Sequence, residues 1–361
     1  MSGFADALDD PKTKGKDDDI ELTPTTGGGF PTTMAVPISS ETPLDPEMVA
    51  ILQSGNTFLI QQKLQWFEAL SQGCCEQQNI YTVTDKDSNR NVLLIQEQSQ
   101  PLNRCFCAPQ HSFFAKFYLL GDDGKTKKSE QAVMTLEREG CDCCFTGPCV
   151  KPLLCCFACT EDCSDASKLY VGDLPGNAGE KKGQRETTHL LGGMLQPKGG
   201  GGFKPVMQIM DRDTRNPSAK AETFAATRGP CFFGGCSEFC CDTAFGISVA
   251  RPGQSVQELH KLPFGDFATI TKKKPNSFGG ALRELFTDSD IYEVTFVSKD
   301  ITPQQKANIL ASMVHLDYVF FERDNDMIYC EGGDIHIVIC NCFCYGCICP
   351  CECVISANNG D

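Results

Sequence analysis

Two dense runs of cysteine dominate the chemistry that this sequence can offer. "CDCCFTGPCVKPLLCCFAC" spans Cys141 to Cys159, with Cys163 just beyond it, and "CNCFCYGCICPCEC" spans Cys340 to Cys353. Thiols at such density serve a metal, a disulfide framework or lipid attachment. Disulfides need an oxidising compartment. The opening residues "MSGFADALDD" show neither the basic end nor the apolar stretch of a secretory signal. The 24 cysteines are therefore expected to be reduced thiols facing the cytoplasm. Zinc takes two short-spaced thiol pairs in a tetrahedral site. "CDCC" with "CCFAC" offers four such ligands, although adjacent residues of an extended segment point apart. Thioester acylation suits the flanking Phe145, Leu153, Leu154 and Phe157, which can rest at a lipid interface, and Lys151, which can meet anionic headgroups. Each buried methylene contributes about 0.8 kcal/mol, so one chain holds marginally and two anchor stably. Cys155 and Cys156, beside "PLL", form the best pair of acceptors. The second run follows "IHIVI", contains no His, and reads as another acylated anchor or a small metal-binding tail.

The remaining polar groups exclude more than they assign. The chain has 361 residues and a formal charge of −15, which disfavours general nucleic-acid binding through Lys and Arg neutralising phosphates. No Ser-His-Asp order, phosphate loop or paired-carboxylate arrangement stands out among the five His residues, so no enzyme is expected. No stretch reaches the roughly 18–20 continuous apolar residues of a membrane-spanning helix.

The elements that would position these groups fall into three regions. Residues 1–48, with "KDDD" and "TTGGGFPTT", bury too little apolar surface to offset chain entropy and read as a disordered acidic, Gly/Pro-rich tail. From residue 49 short apolar runs alternate with polar turns. "IYTVTD" and "NVLLIQEQ" flank the hairpin turn "KDSNRN", and "FFAKFYLL" turns through "DDG". "AFGISVA" and "IYEVTFV" read as further strands. Short strands at regular spacing point to a barrel or sandwich. Residues 176–203, with "LLGGMLQPKGGGGF", read as a flexible Gly-rich insertion, and residues 324–361 as a Cys-rich C-terminal tail.

One helix stands out over residues 303–321. Thr302 is its expected N-cap and Pro303 its first residue. Ile309, Met313, Leu316 and Phe320 share a face, and Leu310, Val314 and Phe321 carry the apolar surface most of the way round. Such a helix is buried in protein or in lipid. Asp317 and His315 lie within it, and an Asp at the centre of a membrane helix costs roughly 3 kcal/mol. Burial in protein is the expectation.

The order of these pieces resembles the phospholipid scramblase family of the tubby-like superfamily. The resemblance rests on "FLIQQKLQWFEALSQGCCEQQNIYTV", "RCFCAP", "MTLEREGCDCC", "RGPCFFGGCSEFCCDTAFGI" and "LRELFTDSDIYEVTF" closing with "LDYVFFE". It implies a closed antiparallel β-barrel of about 12 strands, residues 49–323, around one central C-terminal apolar helix. It implies palmitate on the first cysteine cluster, here Cys143, Cys144, Cys155, Cys156 and Cys159, with zinc as the alternative occupant; the spacing departs from the family's near-continuous run. It also implies a calcium site at "DSDIYEVTFVSK". An EF-hand loop would need Gly and Glu where Glu293 and Lys299 stand, so weak binding through Asp288 and Asp290, assisted by Glu293, is the expectation. Lys272, Lys273 and Lys274 match a basic import segment and read as an exposed loop, able equally to meet anionic lipid at roughly 1 kcal/mol per residue. The implied function is calcium-responsive, ATP-independent scrambling at the cytoplasmic face of the plasma membrane. The implied partners are phospholipid membrane, anionic lipid and a homo-oligomer. The alternatives are an acyl-anchored adaptor with nuclear entry, or a metal-binding interaction module.

Overall fold

The computed structural model describes residues 42–62, 78–99, 111–138, 164–174, 189–216, 218–274, 290–321 and 328–356. Twelve antiparallel strands close into a barrel. In chain order they begin with β1 (Thr57–Gln62), β2 (Ile80–Asp85), β3 (Arg90–Gln98), β4 (Phe113–Leu119), β5 (Met134–Arg138) and β6 (Ala166–Val171). They continue with β7 (Leu190–Leu195), β8 (Val206–Asp211) and β9 (Glu222–Arg228); the two-residue β10 (Phe232–Phe233) stays outside the wall. β11 (Thr243–Val249), β12 (Ala268–Lys272) and β13 (Ile291–Phe296) complete it. β1 pairs with both β2 and β13, so the wall has no free edge.

Local sequence explains the wall. Tyr292, Val294 and Phe296 alternate inward along β13 while Ile291, Glu293 and Thr295 face out. The β2–β3 hairpin turns where "KDSNRN" stands: Asn89 takes a left-handed φ of 51°, and the Asp85 carboxylate accepts from the Asp87 N–H and the Ser88 hydroxyl.

Among the described residues three α-helices accompany the strands: α1 (Pro46–Ser54), the single turn α2 (Val256–Leu259) and α3 (Pro303–Phe320). α3 fills the barrel. Thr302 caps it in a capping box with Gln305, and Pro303 opens its first turn. Ile309, Leu310, Met313, Val314, Leu316 and Phe320 are each at most 1% exposed and share one core with the inward residues of the wall. No helix among the described residues is long and apolar enough to cross a membrane.

Three segments depart from the sequence reading. α1 begins at Pro46, capped by Asp45, and buries Met48 and Leu52 in the core, so order starts before residue 49. Leu190–Leu195, inside the expected Gly-rich insertion, is the barrel strand β7. Its glycines are spacers: a Cβ on Gly192 would lie 2.1 Å from the Met210 carbonyl oxygen and 2.5 Å from the Asn308 Oδ1 on α3. The C-terminal cysteine run forms strands, β14 (Ile328–Glu331), β15 (Asp334–Cys344) and β16 (Cys347–Ile355), which make a four-stranded sheet with β10. Phe343 of β15 and Phe233 of β10 pack on Phe320 at the C-terminal end of α3.

Candidate functional site

One group of the polar side chains that the barrel buries lies at the C-terminal half of α3. Asp317 is fully buried, accepting a hydrogen bond from the Tyr81 hydroxyl of β2 at 2.6 Å and another from the Tyr292 hydroxyl of β13. Burial pushes its carboxyl up to about 7, aided by repulsion from Asp290 and opposed by Lys272 and the two tyrosines. One turn of wall away, the Lys272 ammonium contacts Asp290 at 2.8 Å and Glu238 at 2.9 Å and lies 4.3 Å from the centre of the Phe321 ring. Burial disfavours its charge, but Asp290, Glu238 and Asp317 more than offset this and raise its pKa. Burial raises the Glu238 carboxyl, with Lys272 pulling the other way. Three carboxylates thus share one ammonium, an arrangement that leaves Asp317 ready to hold a proton near neutrality.

Beside it, Glu97 accepts from the Tyr318 hydroxyl of α3 at 2.6 Å and the Asn79 N–H at 2.9 Å, with His111 Nε2 at 3.2 Å. Burial works against its charge, and the contacts with His111, Asn79, Ser99 and Tyr318 overcome it and lower the carboxyl. His315, by contrast, has no hydrogen-bond partner for either ring nitrogen among the described residues. Burial, reinforced by Arg138 and opposed by Asp165, depresses its imidazole to about 3. At the other end of α3, Asp211 of β8 accepts from Gln304 at 2.6 Å and Asn308 at 3.1 Å, and burial raises it to about 6.

The residues expected to bind calcium are dispersed. Asp290 points inward to Lys272, while Glu293 faces outward and contacts Lys86 at 2.6 Å. Successive strand residues point to opposite faces, which is why the two do not meet. Asp288 lies outside the described residues. Among the described residues no three His, Cys, Asp or Glu side chains are arranged to hold a metal.

The expected basic loop is also different. Lys272 ends β12 and is buried, because two carboxylates draw it inward. Lys273 contacts Asp242 at 2.6 Å, and Lys274 donates to the Cys240 carbonyl at 3.1 Å and from its backbone to Asp242 at 2.9 Å. Only Lys274 of the three is exposed. Cys143, Cys144, Cys155, Cys156 and Cys159 lie outside the described residues. Sequence reasoning singled out Asp317 and His315 as misfits in an apolar helix but missed Glu238, Tyr81 and Tyr292, whose role depends on pairing across the wall.

A closed twelve-stranded barrel around a C-terminal helix fits the architecture implied by the sequence. The scramblase family model matches the chain over residues 35–172 and 217–323, which include ten of the twelve wall strands and α3. The chain belongs to the scramblase family. No curated protein and no solved structure matches it.

Proposed function

We propose that the chain promotes calcium-responsive, ATP-independent, bidirectional movement of phospholipids between membrane leaflets. It works from the cytoplasmic face of the plasma membrane, held there by palmitate on Cys143, Cys144, Cys155, Cys156 and Cys159. The observation that carries this reading is the family match, which takes in most of the barrel wall and the helix inside it. Calcium acts through Asp288 and Asp290. Because Asp290 is already ion-paired with Lys272, the metal competes with an ammonium there, and the affinity is weak. The lysines at 272–274 contribute little to anionic-lipid binding in this reading, since Lys272 is buried.

A filled barrel favours a second reading, an acyl-anchored adaptor that moves no lipid. Liposomes carrying a labelled phospholipid in both leaflets separate the two. Calcium-stimulated exposure of inner-leaflet label, without ATP, supports scrambling. Full binding with no exchange, with and without calcium, refutes it and leaves the adaptor.

A further inference from the structure

The C-terminal sheet has two unlike faces. One carries Phe233, Val338, Asn341 and Phe343, all buried toward the barrel. The other faces outward. Residues opposed across an antiparallel pair share a face, and the register opposes Cys340 to Cys351, Cys342 to Cys349 and Cys344 to Cys347. An irregularity at Ile339 preserves this phase through Ile337 opposite Cys353 and Ile335 opposite Ile355. β14 adds Ile328 and Cys330, and β10 adds Phe232 opposite Cys342. Among the described residues no charged side chain of these strands falls on this face. Phe232, Ile328, Ile335 and Ile355 are 59%, 53%, 39% and 51% exposed, whereas side chains of this kind are normally buried. Burial and neighbouring thiols raise Cys340 and Cys342, so their thiols stay neutral.

Phe232 also belongs to a shallow cleft of about 470 Å³ whose walls include Lys204, Arg228 and Phe264. Arg228 stacks 5.5 Å from the centre of the exposed Phe264 ring and donates to the His260 carbonyl. Neither cation has a carboxylate partner among the described residues, in a chain with a net charge of −15. Phe203, next to Lys204, is 62% exposed and meets Tyr345 at the tip of the β15–β16 hairpin. Two cations with no carboxylate partner among the described residues, set beside exposed aromatics, therefore border an uncharged thiol and isoleucine surface.

We propose that this end of the barrel docks on a phospholipid bilayer, with the outward face of β14–β16 at the acyl boundary and lipid phosphates on Lys204 and Arg228. Charge decides the occupant. Phosphodiester headgroups above hydrocarbon supply an anion for the cations and an apolar layer for the sheet, and aromatic rings favour that boundary. A second copy supplies no anion, since the same patch would bring the same two cations. The inference shares with the functional reading only that the partner is a phospholipid membrane. It requires neither scrambling, calcium nor acylation.

The test uses the full chain, reduced and stripped of thioesters with hydroxylamine, floated with vesicles of phosphatidylcholine alone or with added phosphatidylserine. Wild type should float with both and more with the anionic vesicles. Ile335→Asp with Ile355→Asp should lower partitioning to both by about tenfold or more. Lys204→Ala and Arg228→Ala should each lower the anionic component by about fivefold. Val297→Asp, at the opposite end of α3, should change nothing, and unchanged melting temperatures show that the variants fold. The proposal is overturned if wild type fails to float, or if the isoleucine variant floats as wild type does. Release by millimolar inorganic phosphate would make the cleft a free-phosphate site, and a dimer lost in the isoleucine variant without loss of flotation would make the face an interface between copies; either overturns docking. Flotation without lipid exchange overturns the scrambling reading alone.

Discussion

Replacing His315 by Leu removes an imidazole that is fully buried and has both nitrogens unpaired among the described residues. An unsatisfied buried polar group costs about 1–3 kcal/mol, so the variant should gain stability of that order at neutral pH. The gain should grow in acid. The native imidazole titrates near 3, against 6.5 for the free group. Below 6.5 the unfolded chain takes up a proton that the native chain refuses, so stability is lost as pH falls from 6.5 toward 3. The slope is about 1.4 kcal/mol per pH unit. At pH 5 the variant should therefore lead wild type by about 2 kcal/mol more than at pH 7. Asp317 acts in the opposite sense. Its folded pKa of about 7 stands above the 3.8 of a free Asp carboxyl, so the native state keeps a proton that the unfolded chain releases. That contribution is fully present below 3.8 and is lost as pH rises to about 7. Between about 4 and 6.5 the two slopes cancel in wild type, and each substitution should expose the other residue. Urea unfolding from pH 4.5 to 8 measures it: the His315→Leu advantage should rise toward acid, and the effect of Asp317→Asn should become more favourable toward base. Parallel curves for all three proteins would refute the account of both buried groups.

Lys272→Met leaves Glu238 and Asp290 facing each other without their ammonium and should cost about 3–5 kcal/mol in urea unfolding. Adding Glu238→Gln and Asp290→Asn should recover most of that loss, and no recovery would show that the ammonium is not their counter-ion. A short bis-alkylating bimane should join Cys340 to Cys351, Cys342 to Cys349 and Cys344 to Cys347 in peptide maps. Links from these thiols to non-opposed cysteines would contradict the register. Calorimetry should find weak calcium binding that disappears with Asp288→Ala and Asp290→Ala; tight or unchanged binding would place calcium elsewhere. Acyl exchange should label the first cysteine cluster, and Ser at Cys143, Cys144, Cys155 and Cys156 should shift the protein toward the soluble fraction. Unlabelled cysteines accompanied by stoichiometric metal would favour zinc.

Periodic, local features were readable in the chain; features made by approach across the barrel were not. Thr302, Pro303 and the all-round apolar run marked α3 because capping and periodicity are local. Asp317 and His315 could be recognised as misfits, and both emerge with displaced titration. Gly192 and Gly193 looked like linker because glycine carries no apolar pattern, and their reason, the close pass of Asn308 and Ser167, exists only in three dimensions. Lys272 looked exposed because its carboxylates come from distant segments. The C-terminal run was visible as chemistry and overlooked as a strand pair. "CNCFC" and "CICPCEC" alternate with period two around Tyr345 and Gly346, whose φ values of 50° and 93° make the tight hairpin turn. Thiol density drew attention away from that alternation.

The filled barrel limits how any scrambling can occur. A lipid path through the lumen would require α3 to leave it. Six of its side chains, Ile309, Leu310, Met313, Val314, Leu316 and Phe320, are essentially inaccessible, and burying each contributes about 1.5–3 kcal/mol. Their exposure alone would cost about 9–18 kcal/mol, as much as the whole stability of an ordinary domain, about 5–15 kcal/mol. Asp317, Tyr318 and Gln304 would also lose partners on the wall, and Lys306 its partner at the end of α1. Opening the lumen is therefore unfolding under another name. A headgroup that changes leaflets with the help of this chain must travel outside the barrel, along lipid that the protein has thinned or disturbed. That demands close contact between the bilayer and some outer surface of the folded domain. The uncharged outward face of the sheet at the C-terminal end of α3, bordered by Lys204 and Arg228, is where the described surface has the composition for such contact.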